Sequence, residues 1–388
     1  MDLRDTPEEA AFRQEVREFI AQNVPDESKQ RSARRFEEAD RDWSRKLGEA
    51  GYAGLTWPKE YGGSAAPYSH QAIFLEEMAR SEAPGHIGVI GIGMAGPTIM
   101  AWGSDTQKER YLSKILTADE IWCQGFSEPD AGSDLANVRT RIEDRGDHFL
   151  VNGQKVWSSF AHIADHCILV GLGDPSAPRY KGLTYVIADM KAPGVEVRPL
   201  VQITGHPEFN EIFFTDVQVP KENLLGEVGG GWQVAMTTLL HERGTLGFAL
   251  AATLDAAVRK LIALAKERNV TDAVLRDRIA REWIELQALR YTNMRSLSTL
   301  VKTGIPGPEG SASKLVWSEN NQRLTKLALE ILGSHAQLTD SSGNGGGPGD
   351  GYWQYQQLRS RGNTIEAGTS EILRNIIAER VLGLPRSR

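Results

Sequence analysis

The stretch whose residue types best suit binding chemistry runs from Gln124 to Ser159 and reads QGFSEPDAGSDLANVRTRIEDRGDHFLVNGQKVWSS. A strand-like lead-in gives way to a loop rich in Ser, Asp, Pro and Gly, and the alternating segments that follow end in Lys155-Val156-Trp157. A loop of this kind between two strands offers backbone N–H groups and hydroxyls with little side-chain bulk. We expect it to bind a flat ligand with polar edges.

Three segments with different periodicity surround and position this stretch. Residues 1–120 show the apolar period of amphipathic helices, beginning with a capping box from Thr6 to Glu9. Residues 121–228 contain short β-branched and aromatic runs separated by turn residues, which predicts a middle antiparallel β-barrel or sandwich. Residues 229–388 return to long helical stretches, typical of a four-helix bundle. The predicted fold class is therefore α+β and multidomain, with these three segments as domains.

Composition limits the partners and the compartment. The chain has 388 residues and a formal net charge of −7, which argues against nucleic acid as its main partner. No apolar run approaches the ~20 residues of a membrane span, and the N-terminus lacks a secretory apolar region, so we expect a cytoplasmic protein. Cys123 and Cys167 lie in apolar runs and are expected to be packed thiols. Because no ligand spacing is present, we predict no metal.

Glycines at positions 91, 93 and 96 match the spacing of a dinucleotide-binding loop. They do not follow a strand of a βαβ unit, and no acidic residue closes a second strand ~20 residues further on. We interpret them as helix-packing contacts.

Six motifs follow one another in a recognisable order: TPEEAAFRQEVREFI, WGSDTQKERYLSKIL, SEPDAGSDLANVRT, VNGQKVWSS, EIFFTDVQVP and GTSEILRNIIAERVLGLP. Over nearly the whole chain they resemble the acyl-CoA dehydrogenase family of flavoenzymes. The resemblance implies FAD as cofactor and an acyl-CoA thioester as substrate, in fatty acid or steroid side-chain metabolism. The α-proton would be removed while the β-hydrogen leaves as hydride to the flavin. The resemblance further implies an electron-transferring flavoprotein as acceptor and a tetramer, formed by this chain alone or with a related chain.

The resemblance also assigns contacts by position. Phe126 and Ser127 would lie against the pyrimidine edge of the flavin, Trp157 and Ser159 against its other side, and Ser133 would face the acyl-CoA. Fixed hydroxyl and N–H donors suit a ring that becomes anionic on reduction. Outside the family context these serines are ordinary turn or strand hydroxyls. The other cofactor-binding residues that the resemblance implies are Gln124, Arg268, Thr369 and Glu371.

The reaction needs a carboxylate base, held in a dry pocket that raises its pKa. In many members a Glu immediately precedes the Gly-Thr of the C-terminal motif, but here Ala367 holds that place. A subset similar to isovaleryl-CoA and long-chain acyl-CoA dehydrogenases carries the base on the first long helix of the C-terminal bundle. Glu242 stands there, so we predict Glu242 as base and Arg243 as a residue that holds it or approaches the CoA. The alternatives are Glu366, if the backbone shifts by one residue, and a chain without a base.

Departures from the family pattern bear on substrate and assembly. The small Ala367 frees space near the reacting carbon, which favours branched or bulky acyl groups. Arg268 lacks the Phe-Gly that usually follows it, and Glu330 stands where the family has Gln, so cofactor contacts made across a subunit boundary are partly rewritten. A different partner chain is one way to complete them. The rival functions are a non-catalytic subunit of a heteromeric dehydrogenase, and a flavin oxidase or monooxygenase.

Overall fold

The structure is a computed structural model that describes residues 4–25, 38–303, 307–308, 310–338 and 351–386, without the side chains of residues 38–39 and 242–246. Within these residues the predicted order of helices, strands and helices is observed.

The described helices are α1 Pro7–Asn23, α2 Glu38–Glu49, α3 Tyr68–Arg80, α4 Gly96–Trp102, α5 Asp105–Leu116, α6 Gly231–Glu267, α7 Ala273–Thr303, α8 Gly310–Leu332, α9 Tyr352–Ser360 and α10 Ser370–Ile376. The described strands are β1 Trp122–Gly125, β2 Arg141–Asp144, β3 His148–Ser159, β4 His166–Leu172, β5 Leu183–Asp189, β6 Val195–Leu200 and β7 Phe209–Pro220. No helix in the described part of the chain is both long and apolar enough to cross a membrane.

The capping box predicted for α1 is present. The Thr6 hydroxyl accepts the Glu9 N–H at 3.2 Å, and the Glu9 carboxylate accepts the Thr6 N–H at 2.9 Å. These reciprocal bonds satisfy two backbone donors that a helix start leaves without partners. The start of α1 is therefore decided locally.

The strands form one sheet in the order β1-β4-β2-β3-β7-β6, with β5 paired to β4. The pairs β2–β3, β3–β7, β4–β5 and β6–β7 are antiparallel, as predicted. The β1–β4 pair is parallel, which the prediction of an antiparallel barrel missed. Parallel neighbours need a long crossover, and the chain between them includes β2 and β3. The parallel register places Cys123 opposite Cys167, and both are buried free thiols, as expected.

The chain forms two compact units. We call residues 38–65 and 85–242 the sheet unit, and residues 1–37, 66–84 and 243–388 the helical unit. Residues 1–120, predicted as one helical segment, are thus divided between the sheet unit and the helical unit. Each amphipathic helix buries its apolar face against whichever unit offers apolar surface. The three-domain division stays a prediction.

Each unit has its own apolar core. In the sheet unit, helices α4 and α5 and the start of α6 pack in one core cluster with residues of β1, β4 and β5. A second cluster joins β3, β4, β5 and β7. In the helical unit, α6, α7, α8 and α9 share a third cluster that includes Val258, Leu261, Leu286, Leu324 and Trp353.

The glycines at 91 and 96 pack closely, as interpreted from the sequence, whereas the interpretation was wrong for Gly93, where an added Cβ would meet nothing within 4 Å. A Cβ on Gly96 would lie 2.1 Å from Cη2 of Trp57, and one on Gly91 would lie 2.9 Å from Cγ2 of Ile115. Residues Gly91–Ala95 form a π-helical turn that leads into α4, and no strand among the described residues before it supplies what a dinucleotide-binding loop requires. The role of Gly91 and Gly96 in the sheet unit is close packing.

Candidate functional site

The loop after β1 and the end of β3 lie against each other in the sheet unit. The Val156 N–H donates to the Ser127 carbonyl at 2.9 Å. Phe126 is buried and Ser127 is half-buried, while Gln124 belongs to β1. The structure therefore brings together the predicted flavin contacts of the loop and of the strand.

Trp157 stands at a kink in β3. The β3–β7 register shifts between Lys155 and Ser158, and Trp157 has a left-handed backbone with φ of 61°. Its indole is 60% exposed and meets the Phe209 ring edge-on at 5.9 Å. A bulky residue in this conformation is strained, and such strain tends to occur at ligand-binding sites. This arrangement suits an aromatic ring that covers Trp157.

A buried ion pair lies beneath the loop. Lys155 is 0% exposed, and its Nζ donates to Oε1 of Glu128 at 2.8 Å and to the Phe126 carbonyl at 2.9 Å. The Glu128 carboxylate also accepts the N–H groups of Arg139 at 2.6 Å and Thr140 at 2.9 Å. Burial opposes the charge of Glu128, but Lys155 and these donors outweigh it and lower the pKa of Glu128. Both Glu128 oxygens therefore have donors and the Lys155 ammonium has two acceptors, although burial lowers the pKa of Lys155.

The hydroxyls expected at the ligand are available. In the described part of the chain, the Ser127 and Ser159 side chains have no hydrogen-bond partner, and Ser133 is exposed. Next to Ser133, Asp134 pairs with Arg179. Free hydroxyls beside an exposed aromatic ring fit a flat ligand with polar edges.

A second ordered loop lies in the helical unit, at residues 363–369. The buried Lys314 donates to the carbonyls of Asn363 at 2.6 Å and Gly368 at 2.9 Å. Ser318 also donates to the Asn363 carbonyl, at 2.8 Å. Between these anchors, Ala367 has a left-handed φ of 51°. The loop in which the C-terminal motif places Ala367 is thus held from both ends.

Glu366, the second candidate base, is already engaged. Arg359 donates to its two oxygens at 3.2 and 2.8 Å, and Asn363 donates to Oε1 at 2.8 Å. A carboxylate whose oxygens already accept bonds from an Arg fork and an amide is poorly placed to meet a substrate proton. This geometry favours a structural role for Glu366.

Glu242 and Arg243 lie within α6, and the boundary between the two units falls between them. Their side chains are not among those that the structure describes, so their roles stay predictions. The neighbouring His241 is half-buried, and burial lowers its pKa.

The residues expected at the cofactor phosphates and adenine differ in their surroundings. Arg268 follows α6, and its buried Nε has no hydrogen-bond partner among the described residues. Glu330, in the place of the family's Gln, is paired with Arg278. An orphaned guanidinium nitrogen fits an anionic ligand, whereas a carboxylate locked to an arginine does not.

The last two predicted cofactor residues begin α10. The Thr369 hydroxyl caps this helix by accepting the Ile372 N–H at 3.2 Å. Glu371 is exposed in the first turn. Their assignment to the cofactor stays a prediction.

Sequence reasoning missed the two buried lysines, Lys155 and Lys314. Lys155 carried a usable signal, because it shares the buried phase of β3 with Phe149 and Val151. A charged residue in that phase needs an internal partner. Lys314 gave a weaker signal, since its partners are backbone carbonyls that no sequence pattern marks.

The fold and these sites agree with three family models. The model described as "Acyl-CoA dehydrogenase, N-terminal domain" matches residues 6–119, the middle-domain model matches residues 123–217, and the C-terminal-domain model matches residues 229–382. The chain belongs to the acyl-CoA dehydrogenase family. It is an oxidoreductase that depends on FAD.

Individual relatives match over nearly their full length. The chain is 38% identical to acyl-CoA dehydrogenase IpdE1 of Mycobacterium tuberculosis, with 97% of both chains covered. It is 39% identical to IpdE1 of Mycolicibacterium smegmatis, also with 97% of both covered. Among solved structures, the Tcur3481-Tcur3483 steroid ACAD superposes with a TM-score of 0.87 at 30% identity, covering 100% of both chains. The ChsE4-ChsE5 complex from Mycobacterium tuberculosis gives 0.87 at 31% identity, again over 100% of both.

The residues present fit FAD. In the sheet unit, the exposed Trp157 and the hydroxyls of Ser127 and Ser159 suit the edges of an isoalloxazine ring. In the helical unit, the unpartnered Nε of Arg268 suits a diphosphate. When bound, FAD supplies the acceptor for the two electrons and the hydrogen that leave the substrate.

Proposed function

We propose that this enzyme dehydrogenates the α,β-bond of a bulky acyl-CoA thioester, with Glu242 as the base, and passes electrons to an electron-transferring flavoprotein. The observation that carries the choice of base is the loop at residues 363–369. Ala367 offers no carboxylate there, and Glu366 is occupied by Arg359 and Asn363. The remaining candidate for the base is then Glu242 on helix α6, where a subset of the family carries its catalytic carboxylate.

Each part of the chain has a task in this reaction. Glu242 takes the α-proton, and Arg243 orients Glu242 or meets the CoA. Ser133 meets the acyl-CoA. Phe126, Ser127, Trp157 and Ser159 hold the flavin edges, and donors at those edges stabilise negative charge as it develops.

The proposed substrate class rests on space and on the relatives. Alanine in place of glutamate leaves room beside the reacting carbon. The Tcur3481-Tcur3483 enzyme is named a steroid ACAD, and we extend that bulky, polycyclic class of acyl group to this chain.

The assembly is proposed to include a related chain. The structure named ChsE4-ChsE5 is a complex of two such chains. Here Glu330 is tied to Arg278, so this position cannot make the amide contact that a Gln makes. A partner with an intact Gln at that position would complete the cofactor site.

Anaerobic titration of the flavin tests this function. Straight, branched and polycyclic acyl-CoAs are added to the purified enzyme, with any chain that co-purifies, and bleaching of the flavin is followed. We expect polycyclic or branched acyl-CoAs to bleach it fastest. Preference for straight short chains would contradict the substrate class, and peroxide formation without any bleaching would favour an oxidase. Full activity of a complex carrying Glu242→Gln would favour the non-catalytic subunit.

A further inference from the structure

Lys155 reaches two elements that the reaction uses, although it takes no part in the chemistry itself. Its side chain has no solvent exposure, and its ammonium touches both the Phe126 carbonyl and the Glu128 carboxylate. Its backbone belongs to β3, two residues before Trp157. One side chain therefore joins the loop that carries Ser127 to the strand that carries Trp157.

The bonds around this ammonium extend the connection in both directions. Glu128 accepts the N–H groups of Arg139 and Thr140 at the entry to β2. Val156, next to Lys155, donates its N–H to the Ser127 carbonyl. The loop is thus attached to β3 by one backbone bond and one buried ammonium, and to β2 through a carboxylate.

The kink of β3 begins at this anchor. Lys155 pairs with Ile212 of β7, and the next paired residue is Ser158. Regular alternation would place residue 157 on the same buried face as Lys155, but the register shift after Lys155 and the left-handed φ of 61° at residue 157 interrupt the alternation and turn one side chain outward. That side chain is Trp157.

We propose that Lys155 is a positioning residue for the flavin, which holds the Phe126–Glu128 loop and the Trp157 kink at a set separation through its bonds to Phe126 and Glu128. This inference rests on the proposed flavin contacts of those residues. Lys155 does not touch the reacting atoms, so its loss should weaken cofactor binding before it alters the chemistry of the bound flavin.

The charge makes the single variant ambiguous, because Lys155→Met leaves Glu128 buried without its counterion. The double variant Glu128→Gln with Lys155→Met removes both charges and keeps an acceptor for a backbone N–H. Lys191→Met is the matched lysine control, since Lys191 pairs with Asp165 in the same unit but is 75% exposed. Val151→Ala is the stability control, because it thins the core in β3 without touching the anchor.

The experiment removes FAD from each purified enzyme and measures the dissociation constant for FAD by flavin fluorescence, with flavin anisotropy and the melting temperature as further readouts. We expect Lys155→Met and the double variant to weaken FAD binding about tenfold or more and to lower the anisotropy of the flavin that remains bound. The dissociation constants of Lys191→Met and Val151→Ala for FAD should stay within about twofold of that of the parent enzyme.

Two results would overturn the inference. One is a double variant that binds FAD as tightly as the parent enzyme. The other is an affinity that follows melting temperature across all variants, Val151→Ala included, which would make Lys155 a purely structural residue. Failure of this inference can be told apart from failure of the proposed function. If no acyl-CoA bleaches the bound flavin, the proposed substrate class is wrong. The positioning role of Lys155 is decided separately, by the dissociation constants for FAD.

Discussion

The sheet unit and the helical unit each hold a loop in place with a buried lysine, and they do so differently. Lys155 bonds a carboxylate and one carbonyl, and the carboxylate carries the connection on to β2. Lys314 bonds two carbonyls at the two ends of a single loop. The first arrangement links separate elements, whereas the second shapes one loop. A buried cation thus serves either long-range positioning or local backbone conformation, according to its partners.

The largest expected effect separates the two candidate carboxylates. Glu242→Gln should slow flavin bleaching by about 10²–10⁴-fold, because a positioned general base contributes about that much. The bleaching rate of Glu366→Gln should stay within about tenfold of that of the parent enzyme, since the Glu366 carboxylate is already bonded to Arg359 and Asn363. Stopped-flow reduction under anaerobic conditions measures both. Equal losses in the two variants would contradict the assignment of the base.

The two lysines should differ in the stability of their loops. Lys155→Met leaves the buried Glu128 carboxylate without its counterion and should lower the free energy of unfolding by about 3–5 kcal/mol. Lys314→Met should lower the free energy of unfolding by about 1–3 kcal/mol. The Gly368 carbonyl loses its bond from Lys314, but the Asn363 carbonyl still accepts a bond from Ser318. Amide hydrogen exchange in peptides that cover each loop reports the local opening free energy. A larger loss at the Lys314 loop would reverse the comparison.

Acid should destabilise the sheet unit through His86. Gly88 donates its N–H to Nδ1 at 2.9 Å, so Nε2 carries the proton and donates to the Leu116 carbonyl at 3.2 Å. Burial lowers the pKa of His86 from 6.5 to about 4, so this stability is present above pH 6.5 and is lost as pH falls towards 4. The free energy of unfolding lost through His86 reaches about 3 kcal/mol once the pH has fallen to about 4.

Hydrogen exchange at pH 7 and pH 5 tests the His86 prediction. The peptide that contains residues 85–88 should lose protection at pH 5, and His86→Gln should remove most of that pH dependence. His335→Gln is the control in the helical unit, where the histidine is exposed. A pH response that persists in His86→Gln would assign the acid sensitivity to other groups.

The smallest expected effect concerns two of the residues that have a left-handed backbone, Ala367 and Trp157. Ala367→Gly should stabilise the helical unit by up to about 1 kcal/mol, because glycine adopts the left-handed φ of 51° without strain. Trp157→Gly relieves a similar backbone but removes a predicted flavin contact, so FAD affinity should fall. Melting temperature and FAD titration distinguish the two. Unchanged FAD affinity in Trp157→Gly would remove Trp157 from the proposed site.

Much of the local structure was predictable because its causes lie within a few residues. The capping boxes at the starts of α1 and α5 involve groups three positions apart, and both are present. The change from helical to alternating period near residue 121 also matched the start of β1. The dinucleotide-binding interpretation of Gly91, Gly93 and Gly96 could be set aside from the sequence, but only the structure showed that Gly91 and Gly96 are closely packed and Gly93 is not.

Other features depend on residues that are distant in sequence. The parallel β1–β4 pair, the helix α9 and the π-helical turn at Ile377–Val381 were not predicted. The candidate base Glu366 could be weighed only when Arg359 and Asn363 were seen around it. Its loop contacts arise from chain folding rather than from a motif.

The sequence by itself determined the family and the cofactor class, because these depend on motifs that are contiguous or ordered along the chain, while its flavin contacts stay predictions. The tertiary structure decided which buried charges hold the loops, since Lys155 and Glu128 are 27 positions apart and Lys314 and Gly368 are 54 apart. A buried ammonium is stable only where oxygens converge on it, and that convergence exists only in the folded chain.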